Sequence, residues 1–421
     1  MRGSAEEGKA AVNGGADPSR DDGSALLSSA RVGELLATAA THAGGELLTW
    51  TMDHIDAHPG HSTTATYAAR VRWPYGERDE LLGVSARTGP RVETDNRADI
   101  FADGDREVAV WLYPNDPDLP GLMRAAYPER MAELVNEQHL VTRPVSADQI
   151  SLSMIGYRPR RRAVLRMDVT DPAETFYVKV QRKKQFEEVV ERHRLLLEAG
   201  VPSPGVAAAT DEHILVLKQL PGRSLAKAMF DPEDPCTAED LIATLDQMPH
   251  SVSRLERRPP WSDAVAHYAT MVTAAMPSEA GRLQWMVGQV EQGLSGIGPG
   301  SEPTHGDFHE GQVFVQDGKV SGILDIDTIG PGRRADDLAC MIAHLSTVQR
   351  MNAQQAERVH HLIRTWVPVF DARVDPVELR LRAAAVIISL ATGPYRSQEP
   401  SWRAETSAIL DAAEALVRQV A

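Results

Sequence analysis

THGDFHEGQVFVQDGKVSGILDID, residues 304–327, reads as a loop followed by a tight hairpin. VFV and VSGIL are strand material, and Asp317-Gly318 between them is a strong turn pair, because a two-residue hairpin turn needs positive φ at both positions. With Val315 set across from Val320, antiparallel counting places Gln312 opposite Ile323 and Asp325 just beyond that pair. Asp307 stands on the loop leading into the hairpin. Two acids and an amide are thereby brought to one end. Phosphoryl transfer uses such a set. It needs oxygen ligands for a Mg2+ that keeps most of its coordination for water and phosphate. It also needs a carboxylate that orients the acceptor hydroxyl and takes its proton. On this reading Gln312 and Asp325 are metal ligands and Asp307 is the catalytic base. Taken singly, HGD and DID read equally well as solvated turns; together around one hairpin they form a strong signal.

Upstream, ISLSMIGY, RAVLRMDV and TFYVKVQ are three strands, followed by an amphipathic helix, KQFEEVVERHRLLLEAG, and a further strand, ILVLKQL. In the helix Phe186, Val189, Val190, His193, Leu196 and Leu197 share a face, and Gly200 closes it. Strand alternation puts Tyr177 and Lys179 on one face of the third strand and Val178 and Val180 on the other. The stretch MIGYRPRRRAVLR carries one glycine, Gly156, and a cluster of arginines, Arg158 and Arg160 to Arg162, whose guanidinium forks suit phosphate; an exposed basic turn fits the same residues equally well.

HGDFHEGQVF, followed by GILDID and ADDLA, resembles the aminoglycoside phosphotransferase and maltokinase-like sugar kinase superfamily, distant relatives of the protein kinases. The resemblance spans about 146–421. It implies an α+β, two-lobed kinase-like fold, with a small antiparallel-sheet lobe, a mainly helical lobe, and ATP and Mg2+ in the cleft between them. It gives Asp307 the role of base and Gln312 and Asp325 the metal, while His305 supports the loop and Asp337 holds it by hydrogen bonds. It also implies a lysine on the third strand paired with a glutamate on the next helix. Lys179 is that lysine. Glu191 stands at the family's spacing before Pro202, with Glu188 the alternative. Gly156 and Arg162 fall in the loop over the phosphates, and LVLKQLPG is similar to the hinge at which adenine is held, through backbone groups of Lys218 and Leu220. Gln312 stands where asparagine is commonest, and HGDxHxGQ looks like the variant of actinobacterial maltokinases and glucosamine kinases.

The rest of the chain frames this. Its 421 residues are 42 % hydrophobic and 24 % charged, ordinary for a globular protein. A net charge of −15 argues against nucleic acid as a partner. Two cysteines, Cys236 and Cys340, give no disulfide framework and no metal spacing. No signal-peptide run or bilayer-long apolar stretch occurs, so a cytoplasmic protein without a membrane partner is expected. Residues 1–24 are expected to be a disordered tail. Residues 25–145 are a cap-like α+β domain, with a helix through ALLSSARVGELLATAATHAGG and a meander of three or four strands. Residues 146–222 form the small lobe and 223–421 the helical lobe. His54, His58 and His61 cluster in HIDAHPGH, but Pro59-Gly60 divides them and no acidic or cysteine partner stands at ligand spacing.

The expected reaction is ATP-dependent phosphorylation of a hydroxyl on a small polar molecule: a sugar, an amino sugar or an aminoglycoside. TGPYRSQEPSW, residues 392–402, interrupts the C-terminal helical region and is a candidate acceptor loop. A polycationic acceptor would call for more carboxylates than the nearby Glu399 and Glu405. The rival from another class is a catalytically silent binding protein of the same fold, favoured by Gln312 and the irregular phosphate turn. A protein kinase is disfavoured, because GPGRRADDLA runs straight from the hairpin into helix with no activation segment. Oligomeric state is not legible.

Overall fold

The computed structural model describes residues 22–58, 61–88, 97–103, 106–348 and 351–420. The expected tail lies outside them except for its last three positions, where Ser24 already opens a helical turn. That turn, α1 (Ser24–Leu27), is separate from α2 (Val32–His42), although one continuous helix is expected there. The serines between them are the reason. Ser28 and Ser29 turn their hydroxyls back on the carbonyls of Ser24 and Leu26 at 2.6 and 2.9 Å, and Ser29 Oγ accepts from the Arg31 amide. Side chains of this type compete with the helix for its backbone.

Both helical segments pack on a five-stranded antiparallel sheet. Its strands are β1 (Glu46–His58), β2 (Ser62–Trp73), β3 (Gly76–Thr88), β4 (Asp99–Asp103) and β5 (Arg106–Leu112), in the order β1-β2-β3-β5-β4. The meander has one strand more than the largest number expected. The histidine-bearing β1, in which Leu48, Trp50 and Met52 alternate with Thr49, Thr51 and Asp53, is held at the sheet edge by its pairing with β2.

Two helices, α3 (Leu122–Ala125) and α4 (Pro128–Glu137), lead to a second five-stranded antiparallel sheet. It comprises β6 (Ile150–Arg158), β7 (Arg162–Thr170), β8 (Ala173–Gln181), β9 (Val206–Ala209) and β10 (Ile214–Lys218), with α5 (Lys183–Glu198) between β8 and β9. β7 alternates strictly: Ala163, Leu165, Met167 and Val169 are buried in one core with Leu122, Met131 and Val135, so Arg162 and Val164 face the other way. On β8, Phe176, Val178 and Val180 join that core and Lys179 lies across from Val164. Period-two geometry thus aims Arg162 and Lys179 into one cleft.

The remaining chain is mainly helical. β11 (Arg223–Ser224) and α6 (Leu225–Ala228) precede α7 (Ala238–Asp246), α8 (Val265–Ala275) and α9 (Ala280–Leu294). β12 (Glu302–Thr304) enters the hairpin β13 (Val313–Gln316) and β14 (Lys319–Ile323), and β15 (Gly330–Gly332) returns to pair with β12. Then come α10 (Arg334–Ser346), α11 (Ala353–Arg373), α12 (Pro376–Leu390), α13 (Gly393–Arg396) and α14 (Trp402–Arg418). α12 contains the AAAVIISL run and is buried along nearly its whole length among α8, α9, α10 and α14. A helix apolar all round is a core helix. No helix of the described residues is long and apolar enough to cross a membrane. The architecture is α+β and two-lobed, with the kinase-like order of small antiparallel sheet, helix, strand and helical lobe, preceded by the additional sheet β1–β5.

Candidate active site

The hairpin differs from simple counting by one residue. Val315 pairs with Val320 and Gln316 with Lys319, and Asp317 and Gly318 take φ of 52° and 75° as their turn requires. Phe314, however, pairs with Gly322, leaving Ser321 as a bulge. Ser321 Oγ is bonded to the Pro221 carbonyl at 2.8 Å, which holds the extra residue out of the ladder. Val313 therefore faces Ile323, and the Gln312 carbonyl accepts from the Leu324 amide at 2.7 Å. Gln312 is not opposite Ile323 as counting predicts; the bulge draws Asp325 one residue closer to it.

The loop before the hairpin is fastened from behind. The Asp337 carboxylate, in the first turn of α10 and fully buried, accepts from the amides of His305 (3.0 Å) and Gly306 (2.8 Å), and Arg334 neutralises it at 3.1 Å. His305 Nε2 lies 2.8 Å from the Leu324 carbonyl, which only accepts, while its Nδ1 faces the Asp307 amide, which only donates. The ring therefore carries its proton on Nε2. Gly306 has φ of 82°, and a Cβ there would lie 2.8 Å from the Thr328 carbonyl oxygen. Asp307 emerges from this scaffold with its Oδ1 3.8 Å from the buried thiol of Cys340, which donates to it.

Asp325 sits at φ 49°. Arg162 forks onto its two oxygens at 3.1 and 3.2 Å, and Lys179 Nζ reaches Oδ1 at 2.8 Å. Lys179 also holds Asp327 Oδ1 at 2.7 Å, and Gln181 donates to the other oxygen of Asp327 at 3.0 Å. Burial opposes the charge on Asp325, but Lys179 and Arg162 overcome it and hold the carboxyl well below the usual carboxylate range. Lys179 mirrors this: burial works against its charge, and Asp327 and Asp325 raise it above its ordinary value.

These groups open onto a cavity of about 380 Å³ lined by Gly156, Arg158, Arg162, Lys179, Lys218, Leu220, Gln312 and Asp325, among others. Its donors are oxygen-only at Gln312 and Asp325, which suits Mg2+. Of the hinge pair, Lys218 has its amide bonded to the Gly205 carbonyl at 2.8 Å.

Glu191 is not brought to Lys179. It lies on the solvent side of α5, paired with Arg194 at 2.5 Å, while Glu188 pairs with Arg192 at 3.2 Å. The helical stripe that meets the sheet consists of Phe186, Val189, His193 and Leu196, so the helix presents His193 towards Lys179. Both Lys179 hydrogen bonds that a glutamate would have taken are made by Asp325 and Asp327.

The arginine turn divides in two. Arg162 and Arg158 face the cavity. Arg160, at φ 60°, faces away: its guanidinium binds Asp118 (3.1 Å) and Ser85 (2.8 Å), its amide donates to Asp116 at 2.7 Å, and its carbonyl accepts from Arg182. Arg161 pairs with Asp56 of β1 at 3.3 Å. Trp111 donates to the Tyr157 hydroxyl, which donates to Asp116, both at 2.8 Å. The N-terminal sheet thus grips the arginine turn. Asp116→Ala should strand the Tyr157 and Arg160 donors, at about 1–3 kcal/mol for each, and lower the melting temperature by several degrees. An unchanged melt would show that this grip carries no weight.

Sequence reading missed a group beneath Asp307. His309 and His344 stack at 3.9 Å between ring centroids, each with Nδ1 3.6 Å from Glu310. Asp307, His309 and His344 bring ligand atoms within 4.8 Å of one another. The legible clue was position: His344 follows Asp337 by two helical turns on the same face of α10.

Burial and the charge of Lys179 push His193 down to about 4, and burial with the neighbouring His309 does the same to His344. An unfolded chain protonates both near pH 6.5, about where free histidine titrates; the folded chain does not until pH falls to about 4. Their contribution is therefore complete above about pH 6.5 and is lost as pH drops towards 4, by a few kcal/mol in total. Thermal melts at pH 7.5 and pH 4.5 test this; equal midpoints would refute it.

Comparison with known proteins gives the family. Residues 161–369 match the model of the phosphotransferase enzyme family, APH. No curated protein matches the chain significantly. Among solved structures it is similar to a thermostable mutant of aminoglycoside phosphotransferase APH(4)-Ia in complex with ADP and hygromycin B. That match has 14 % identity and a TM-score of 0.46, covering 69 % of this chain and 98 % of that one. It is also similar to a choline/ethanolamine kinase family protein from Mesorhizobium loti (19 %, TM-score 0.45, covering 68 % and 95 %). A third is choline kinase LicA from Streptococcus pneumoniae (10 %, TM-score 0.46, covering 69 % and 99 %). Through residues 161–369, which run from the arginine turn through the hairpin into α11, the chain belongs to the APH phosphotransferase family.

Proposed function

We propose that this phosphotransferase uses ATP to phosphorylate a hydroxyl of a small polar molecule of the sugar, amino sugar or aminoglycoside type. The observation that carries the reading is the convergence of Lys179, Arg162, Gln312 and Asp325 on one cavity, with Asp307 on the fastened loop leading to it. Gln312 and Asp325 would hold Mg2+, which supplies neutralisation of the charge on the phosphate oxygens. Lys179 and the Arg162 fork present fixed positive charge to the same phosphates. Asp307 accepts the hydrogen bond of the acceptor hydroxyl, aims its oxygen at the phosphorus, and takes its proton as the new bond forms. Positioning and preorganised charge supply most of the rate.

In this reading residues 25–145 form a cap, 146–222 the small lobe and 223–421 the large lobe. Two free, buried cysteines fit a cytoplasmic protein. The test is ADP release from Mg2+-ATP across sugars, amino sugars and aminoglycosides. Acceptor-dependent ADP supports the reading. Failure to bind ATP at all would favour a silent binding protein.

A further inference from the structure

The cleft has a cationic wall where three parts of the chain meet. Arg161, from the β6–β7 turn, and Arg396, at the end of α13, both pair with Asp56 of β1, each at 3.3 Å from the same oxygen, Oδ2. The Arg396 Nε is buried and has no hydrogen-bond partner. Arg158 lines the nucleotide-sized cavity and makes no ion pair among the described residues. Two guanidiniums therefore share the Asp56 carboxylate, with that of Arg158 near them. Arg158 lies within the fields of Arg162, Arg396 and Arg161, and Tyr268 of α8 lies within those of Arg396, Arg161, Asp56 and Asp307. Tyr268 thus feels both the arginine cluster and the candidate base. His54 on β1 adds no further positive charge, since burial and Arg396 push its pKa down. Arg162 and Lys179, by contrast, are balanced by Asp325 and Asp327.

Clustered guanidiniums are costly to hold together without counter-charge. Arginine forks are well suited to planar or tetrahedral oxyanions. A polycation placed here would meet like charge. We infer that the hydroxyl acceptor carries an anionic group, a phosphate or a carboxylate, held by Arg396 and Arg158 at the junction of β1, the β6–β7 turn and α13. This rests on the kinase reading above.

The test is calorimetry on the full chain with Mg2+ and AMP-PNP already bound, so that the nucleotide phosphates are in place. The probes are glucose 1-phosphate, glucuronate, glucose and kanamycin. At least one anionic probe should bind tenfold or more tightly than glucose or kanamycin, and which of the two wins tells phosphate from carboxylate. Arg396→Gln should weaken that binding at least tenfold and leave AMP-PNP affinity unchanged. Asp56→Asn should strengthen it, because two guanidiniums are released; opposite signs from two variants, each checked by melting, separate charge from general damage. Preference for glucose or kanamycin, no binding of either anion, or an Arg396→Gln effect on AMP-PNP alone would overturn the inference and leave the kinase reading standing. If AMP-PNP itself does not bind, the kinase reading fails and the inference falls with it.

Discussion

Asp307→Asn should fold normally and lose acceptor-dependent ADP release, with kcat lower by roughly 10²–10⁴-fold, the range for losing a general base. The change is nearly isosteric. It keeps an oxygen towards Cys340, and the loop that carries residue 307 is fastened by Asp337 and His305 rather than by the Asp307 side chain. The amide can still accept a hydrogen bond from the hydroxyl, but it cannot take the proton. ATP binding should survive, because Lys179, Arg162 and Asp325 are untouched. Retention of a tenth or more of the parent rate would remove Asp307 from the role of base. A large drop in melting temperature would make it a structural residue.

Lys179→Met should have the larger effect on stability. Lys179 is 6 % exposed and bonds two carboxylates, Asp325 and Asp327, which are themselves largely buried. Methionine matches its volume and leaves these two negative charges facing each other, with Arg162 as their remaining cation at 3.1 and 3.6 Å. Breaking a buried pair by removing one partner costs about 3–5 kcal/mol, equivalent to a fall in melting temperature of roughly 3–6 °C for a chain of this length. Activity should be lost as well, since in the proposed reaction the same ammonium binds the nucleotide phosphates. Adding Asp327→Asn to Lys179→Met removes one stranded charge and should recover part of the stability but none of the activity. A double mutant no more stable than the single would mean that the loss comes from packing and not from charge.

The two cases differ in how far the residues alone disclose them. Asp307 is legible because chemistry and local geometry coincide: a turn signal, flanking strands and acids at fixed offsets all lie within one short stretch. Lys179 is legible as a lysine on a strand face, yet its partners are not. Glu191 and Glu188 lie on the helix that follows the lysine strand, but the apolar stripe of α5 sets the rotation of the helix and turns both to solvent and to neighbouring arginines. Asp327, more than a hundred residues downstream, takes the place. The hairpin register failed in a similar way. Alternation and the Asp317-Gly318 turn locate the strands, but the Ser321 bulge depends on a hydrogen bond to Pro221, a distant carbonyl that no local pattern reveals.

The sequence by itself determined the order of strands and helices, the face of β8 that carries Lys179, and the placing of Asp307, Gln312 and Asp325 around one hairpin, while its family resemblance implied the two-lobed α+β fold. The elements and the hairpin follow from strand period, helix period and turn chemistry, which act over a few neighbouring residues. Only the tertiary structure decided which cations hold Asp325, that Asp116, Asp118 and Ser85 draw Arg160 away from the cleft, and that Arg396 and Arg161 share Asp56. Those are contacts between charges far apart in the chain. Their partners are chosen by the packing of apolar faces that brings the elements together, so they become readable only once that packing exists.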